Sequence, residues 1–237
     1  MTNTEALSDS AHPTVRQRAE ELTAAQQTAL GKARAIFGYV RDGVRFGFPP
    51  VWDRVKASET MEHGLGYCNT KATLFHAFCR AAGVPSRIHA GLIDLRIMKG
   101  IFPSVFFPFL PPAGGHSWVE IEIDGKWRPI DSYINDRPLY EGAVERLRIS
   151  GVTTGFSVSQ AGGPSSCEFN FGEIGFVHMG AVIEDHGVWE DFAQYMACPH
   201  YLPLRSWQRR AYPLLARMGN RNVDAIRGTG RTPPAPG

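Results

Sequence analysis

Apolar positions recur at helical spacing through the N-terminal part of the chain. Leu30, Ala33, Phe37, Val40 and Val44 step by 3, 4, 3 and 4, and Thr23 with Gln26 has the spacing of a capping box. This pattern predicts one amphipathic helix ending near Gly43, with a shorter helical stretch before it. The prolines of FGFPPVW then break it, because proline lacks the amide hydrogen and clashes with the preceding turn. Further on, NTKATLFHAFCRAAG is rich in helix formers and sets Leu74, Phe75, Phe78, Cys79 and Ala82 on one side. Gly83 with Pro85 supplies a cap and a stop. Cys68, in the preceding GLGYC, therefore opens a helix that buries one face.

Ser86 to Ile97 reads as a strand. A Phe- and Pro-rich insertion, KGIFPSVFFPFLPPAGG, follows it. Next, Val119, Ile121 and Ile123 alternate with Trp118, Glu120 and Glu122 up to Asp124-Gly125, which is a hairpin signal. Asp136 and Pro138 start a further helix through about Leu147. Residues 150–200 mix Gly, Ser and aromatics and show no dominant period. Residues 205–227 read as a basic helix with Trp207, Ala211, Leu214, Leu215 and Met218 on one side. Residues 1–13 and 231–237 are expected to be disordered tails.

Composition narrows the class. At one domain per ~150 residues, 237 residues make one generous domain or a core with an extension. A hydrophobic share of 43% and a charged share of 20% are ordinary globular values. No apolar run approaches the ~18 residues of a membrane span, and the start lacks a secretory pattern, so a cytoplasmic protein is expected. Cys68, Cys79, Cys167 and Cys198 form no paired motif, which favours reduced thiols. The net charge is +2, but the stretch after Asp191 carries seven Arg against Asp224 alone. That excess is too small to imply nucleic acid. His63, His76, His89, His178, His186 and His200 lack the paired spacing of zinc ligands, Cys198-x-His200 included. No metal or other cofactor is expected.

The chemistry-bearing residues converge on Cys68. A thiol at a helix N-terminus meets the positive end of the helix dipole, which favours the nucleophilic thiolate. Such a thiolate needs an imidazole to hold and return a proton, and a group that fixes that imidazole's tautomer. If Asp124-Gly125 is a two-residue turn, paired positions sum to 249 and Asp131 lies opposite Trp118. His116 is then Asp131's diagonal neighbour on the same face, ~7–8 Å away between Cα atoms. A three-residue turn would separate them, and Pro129 is a candidate bulge.

GYCNTKATLFHAFCRAAGVPSR followed by GGHSWVEIEIDGKWRPIDSY resembles the transglutaminase-like superfamily of papain-fold cysteine enzymes. The resemblance spans roughly residues 33–133. It rests on Gly-x-Cys opening a helix, Gly-Val-Pro-x-Arg, His-x-Trp-x-Glu, Asp-Gly-x-Trp and a final Asp. It implies Cys68 as nucleophile, His116 as general base and acid, and Asp131 as the residue that orients it. The family's second oxyanion donor is an upstream side chain, for which Trp52 is the candidate beside the backbone N–H of Cys68. No calcium-loop pattern is present.

The expected fold is α+β: a transglutaminase-like, papain-like core with the nucleophile helix packed on an antiparallel sheet. The core is assigned to 14–137 and a C-terminal extension packed on it to 138–230. Cys79 reads as a core residue. Tyr67, Trp118, Phe106 and Phe107 are candidate substrate contacts, with the insertion as an apolar wall. Asp185, His186 and Trp189 either line the site or form a capped loop. The expected function is thioester acyl-enzyme chemistry, most simply amidase- or peptidase-like hydrolysis of a small or peptide substrate. The rivals are an amide-forming acyltransferase with an amine acceptor, and an inactive binding or scaffold protein. Neither nucleic acid nor membrane is an expected partner; a homodimer contact through the insertion is open.

Overall fold

The structure is a computed structural model, and it describes residues 5–52 and 54–229. Seven α-helices are present in this range: α1 (Pro13–Thr23), α2 (Ala29–Gly38), α3 (Ala57–His63), α4 (Cys68–Ala81), α5 (Arg137–Ser150), α6 (Phe192–Met196) and α7 (Ser206–Thr229). The main sheet holds four strands, β3 (Ser86–Asp94), β4 (Ala113–Ile123), β5 (Lys126–Ile130) and β8 (Val182–Trp189), in the order β5-β4-β3-β8. All neighbours in it are antiparallel. Two short pairs complete the set: β1 (Arg45–Phe46) with β2 (Leu65–Gly66), and β6 (Thr154–Gly155) with β7 (Val158–Ser159). The α+β architecture expected from the sequence is the one observed.

The predicted N-terminal helix is α2, but its cap lies further on. Thr28 Oγ1 accepts the Gly31 N–H at 3.0 Å, whereas Thr23 closes α1 by donating to the Ala19 carbonyl at 2.7 Å. A π-helical turn over Tyr39–Gly43 carries the chain from α2 toward β1 and keeps Val40 and Val44 buried.

Helix α4 is the centre of the molecule. Every residue from Cys68 to Cys79 is buried, because α1 and α3 cover one side and the sheet the other. Leu74, Phe75 and Phe78 share a core with Ile88, Ala90, Val119, Ile121 and Ile130. Each such side chain contributes about 1.5–3 kcal/mol through its removal from water.

The hairpin register follows the two-residue turn. Asp124 (φ 51°) and Gly125 (φ 71°) both take left-handed backbone, as a type I′ turn requires. Val119 pairs with Ile130, and Glu120 with Pro129, with no bulge. Pro129 is accommodated because β5 is the edge strand.

Three expectations are corrected. Residues 5–12 are not a tail: Leu7 and Ser8 are buried, and their N–H groups donate to Asp191 at 3.0 and 2.9 Å. Residues 1–4 and the tail expected at 231–237 lie outside the described residues. The buried face of α7 is Tyr212, Ala216, Gly219, Val223 and Ile226, while Trp207 and Leu214 are 52% and 63% exposed. Small residues decide that face, since a Cβ on Gly219 would meet the Phe102 and Phe48 rings at 2.9 and 3.0 Å. Finally, 138–230 is not only packed on a core but completes it, because β8 pairs along β3.

Helix α7 also fixes the segment that leads to Trp52. Asn220 bonds both backbone groups of Phe48, accepting its N–H at 2.8 Å and donating to its carbonyl at 3.0 Å. Arg227 pairs with Asp136 at 2.6 Å, and Asp136 accepts the Phe46 N–H at 2.9 Å. Among the described residues, no helix is long and apolar enough to cross a membrane.

Candidate active site

Cys68 is the first residue of α4, buried at 5% exposure. The turn before it is set by Tyr67, whose extended backbone caps the helix and whose N–H donates to Thr70 Oγ1 at 3.0 Å. The sulfur lies 3.5 Å from Asn69 Oδ1, which also accepts the Ser117 hydroxyl at 3.1 Å. Ser117 is the neighbour of His116 on β4. The start of α4 is thus joined to the strand that bears His116.

His116 sits where β4 has lost its β5 neighbour. The β5 pairing ends at Val119–Ile130, so residues 113–118 of β4 pair with β3 alone. Asp131 follows directly after β5. Its Oδ1 lies 3.3 Å from His116 Nε2, and both side chains are fully buried. The contact is within ion-pair range but off the hydrogen-bond line, as is common before substrate tightens a site. The other ring nitrogen, Nδ1, is buried with no hydrogen-bond partner among the described residues.

The second oxygen of Asp131 accepts the backbone N–H of His178 at 2.9 Å. Burial alone would raise this carboxyl's pKa. The close approach and charge of His116, with the contribution of His178, instead bring it below the ordinary value. The His178 ring lies 5.3 Å from that of His116 and contacts Ser157 Oγ at 2.9 Å through Nε2. Burial pushes its pKa down to about 3, so it is neutral beside His116. Burial, followed by the charges of Asp131 and Cys68, pushes the Tyr133 phenol well above its usual value.

One turn along α4, buried Lys71 donates to the Ile134 carbonyl at 2.8 Å and to that of Arg41 at 3.3 Å. This ties the helix to the loop that starts at Asp131. Burial lowers its pKa to about 7 against the upward pull of Asp136 and Asp42.

The aromatic candidates separate into two groups. Trp52 lies flat on Tyr67, with centroids 4.9 Å apart and planes at 17°. Its Nε1 is buried with no hydrogen-bond partner among the described residues. Trp118 contacts both His89, at 4.2 Å, and His116, at 5.8 Å between ring centroids. Phe106 and Phe107 lie half-buried in a 3-10 segment, Ser104–Phe109, and the ring contacts from the insertion toward Tyr67 do not pass through them. Phe102 provides that path, through Phe48 at 5.0 Å and then Tyr67 at 6.2 Å. Asp185 and His186 are strand residues of β8 and not a capped loop; His186 contacts the Tyr195 hydroxyl at 2.9 Å. Cys79 is fully buried, and burial pushes its thiol up.

Sequence reasoning missed Asn69, Ser117 and His178. Asn69 and Ser117 flank the candidate residues and were open to suspicion on that ground. His178 acts through its backbone, and a main-chain donor leaves no mark in residue identity. No group of three or more His, Cys, Asp or Glu among the described residues could hold a metal ion.

The pattern of the transglutaminase-like superfamily matches residues 16–132, which include Cys68, His116 and Asp131. No curated protein matches the chain. A candidate cysteine protease from Cytophaga hutchinsonii is similar at 20% identity and a TM-score of 0.42, over 54% of this chain and 38% of that one. A candidate protease from Parabacteroides distasonis is similar at 16% identity and a TM-score of 0.39, over 53% of this chain and 24% of that one. The chain therefore spans well under half the length of either structure. Through residues 16–132, the chain belongs to the transglutaminase-like superfamily.

Proposed function

We propose that the chain is a cysteine-nucleophile acyl-group enzyme in which Cys68, His116 and Asp131 act together. Membership of the transglutaminase-like superfamily supports a cysteine-dependent enzyme. One observation carries the assignment of roles: a buried imidazole has Nε2 against a buried carboxylate and leaves Nδ1 unpartnered. Asp131 then fixes the tautomer with hydrogen on Nε2, and Nδ1 accepts the thiol proton.

The thiolate attacks the carbonyl carbon of an amide, ester or thioester, and the carbonyl oxygen becomes an oxyanion. The first-turn N–H groups of α4 and the indole N–H of Trp52 are the donors assigned to it. Collapse expels the leaving group, which takes the proton from His116 and leaves a thioester on Cys68. Water then gives up a proton to His116 and attacks that thioester, releasing a carboxylic acid and the thiol. Hydrolysis of a small or peptide amide is the simplest reading.

Transfer to an amine is the second reading, and the burial of the reacting groups favours it. A closed site keeps water from the acyl-enzyme until an acceptor enters. Incubation with an aryl thioester, with and without a primary amine, tests both. Expected is an acyl adduct on Cys68 by mass spectrometry, then free acid or amide. No adduct on Cys68 and equal turnover by Cys68→Ser would overturn the proposal.

A further inference from the structure

His89, on β3, stands between two carboxylates. Nδ1 lies 2.9 Å from Glu120 Oε1 and Nε2 lies 2.6 Å from Asp185 Oδ1. An ionised carboxylate only accepts, so both ring nitrogens must donate and the ring is an imidazolium. Glu120 also pairs with Arg87 at 2.7 Å. Arg87, Glu120, His89 and Asp185 thus form a chain of alternating charge across β4, β3 and β8. His89 and Glu120 are only 14% and 13% exposed, which limits screening; Asp185 is at the surface.

The cation lies against the active-site aromatic. His89 pairs with Trp118 in the β3–β4 register, and the two rings are 4.2 Å apart at 18°. A cation at that distance over an indole face is strongly held. The other neighbour of Trp118 is His116, at 5.8 Å and 29°. Trp118 therefore touches both imidazoles, His89 held by two carboxylates and His116 facing Asp131. Gly91 makes the anchoring possible. A Cβ there would stand 2.2 Å from the Glu184 carbonyl, so only glycine lets β8 bring Asp185 this close.

We infer that His89 is a positioning residue: as a cation held by Glu120 and Asp185, it clamps Trp118 against His116 and so fixes the imidazole that serves Cys68. The inference rests on the proposed pairing of His116 with Cys68. Burial works to lower the His89 pKa, but the bonds and charges of Glu120 and Asp185 raise it overall. Arg87 faces it from its own strand and His186 acts on Asp185 from β8. The clamp therefore persists to higher pH than an ordinary imidazolium would and is released as pH rises past the raised value.

Two readouts test it on the intact protein. The first is tryptophan fluorescence against pH, since an imidazolium stacked on an indole alters its emission. Expected is an alkaline step that vanishes in Trp118→Phe and His89→Gln and moves to lower pH in Asp185→Asn. The second is the rate of Cys68 alkylation by iodoacetamide at pH 7, mapped by mass spectrometry. His89→Gln should slow it about three- to thirtyfold, the range one cation–aromatic contact supports. His89→Arg, which keeps a stacking cation, should restore most of it. A wild-type rate in His89→Gln, an Arg variant as slow as the Gln variant, or an unmoved step in Asp185→Asn would overturn the inference. If wild-type Cys68 reacts like an ordinary thiol while the step is present, the proposed enzyme fails and the His89–Trp118 stack stands.

Discussion

The backbone N–H of His178 donates to Asp131 Oδ2 at 2.9 Å, from 47 residues further along the chain. The family match ends at residue 132, so a contact from beyond it holds the carboxylate that faces His116. The later half of the chain thereby contributes to the candidate site.

Asp131→Asn keeps the shape but replaces one oxygen by a donor. That donor must face either the His178 N–H or His116 Nε2. Turnover of a thioester should fall by about 10²–10⁴-fold, the usual scale of acid–base assistance. Stability should fall by about 1–3 kcal/mol through the mismatched buried donor. Steady-state kinetics and thermal unfolding of one preparation measure both, and His116→Ala should be the more severe in rate.

Cys68 should outpace the other thiols toward iodoacetamide at neutral pH. Burial holds the Cys79 thiol up, and burial with the charge of Glu168 raises Cys167 to about 11. Cys198, half-buried, is the internal standard for ordinary reactivity. Peptide mapping after brief labelling gives the order, and Cys68 lagging behind Cys198 would contradict an activated thiolate.

Acid should act on the protein through Asp136. Burial raises its pKa, but the Arg227 guanidinium and the Lys71 charge lower it overall. A carboxyl depressed on folding adds stability above its unfolded value of about 3.9, and this is lost as pH falls through the folded value. Asp136→Asn should cost about 1–3 kcal/mol at pH 7, because Arg227 loses its buried carboxylate and keeps only the exposed Asp224 as a charged partner. It should also flatten the acid limb below about pH 4 in chemical denaturation.

The observed face of α7 predicts opposite outcomes for neighbouring residues. Trp207→Ser and Leu214→Ser should change stability by no more than about 0.5 kcal/mol, because both side chains are at the surface. Gly219→Val should destabilise by about 1–3 kcal/mol through overpacking against Phe48 and Phe102. Thermal melts of the three variants decide which face is inside.

Much of the candidate site was readable because local signals fixed it. Gly-Tyr-Cys before a run of helix formers placed Cys68 at a helix start. The Asp124-Gly125 turn set the register as far as Val119–Ile130, although the expected pairing of Asp131 with Trp118 does not form because β5 ends at Ile130. What stayed hidden had other causes. Residues 150–200 are held by capping side chains and backbone contacts, such as Asn135 with the Ser157 carbonyl at 2.6 Å, which have no period. Helix α7 misled because its large apolar residues suggest one face while Ala216 and Gly219, by being small, select another. Leu7 looked like tail because its partner, Asp191, lies 184 residues away.

The clasp of α7 on Phe46 and Phe48 sets a timetable for the growing chain. Cys68 and His116 leave the ribosome before Asn220 and Arg227, which reach back over 172 and 181 residues to fix the approach to Trp52. Because synthesis proceeds from the N-terminus, a half-made polypeptide holds the sulfur without its finished surroundings. The surroundings proposed for the thiol are thus complete only once α7 has emerged.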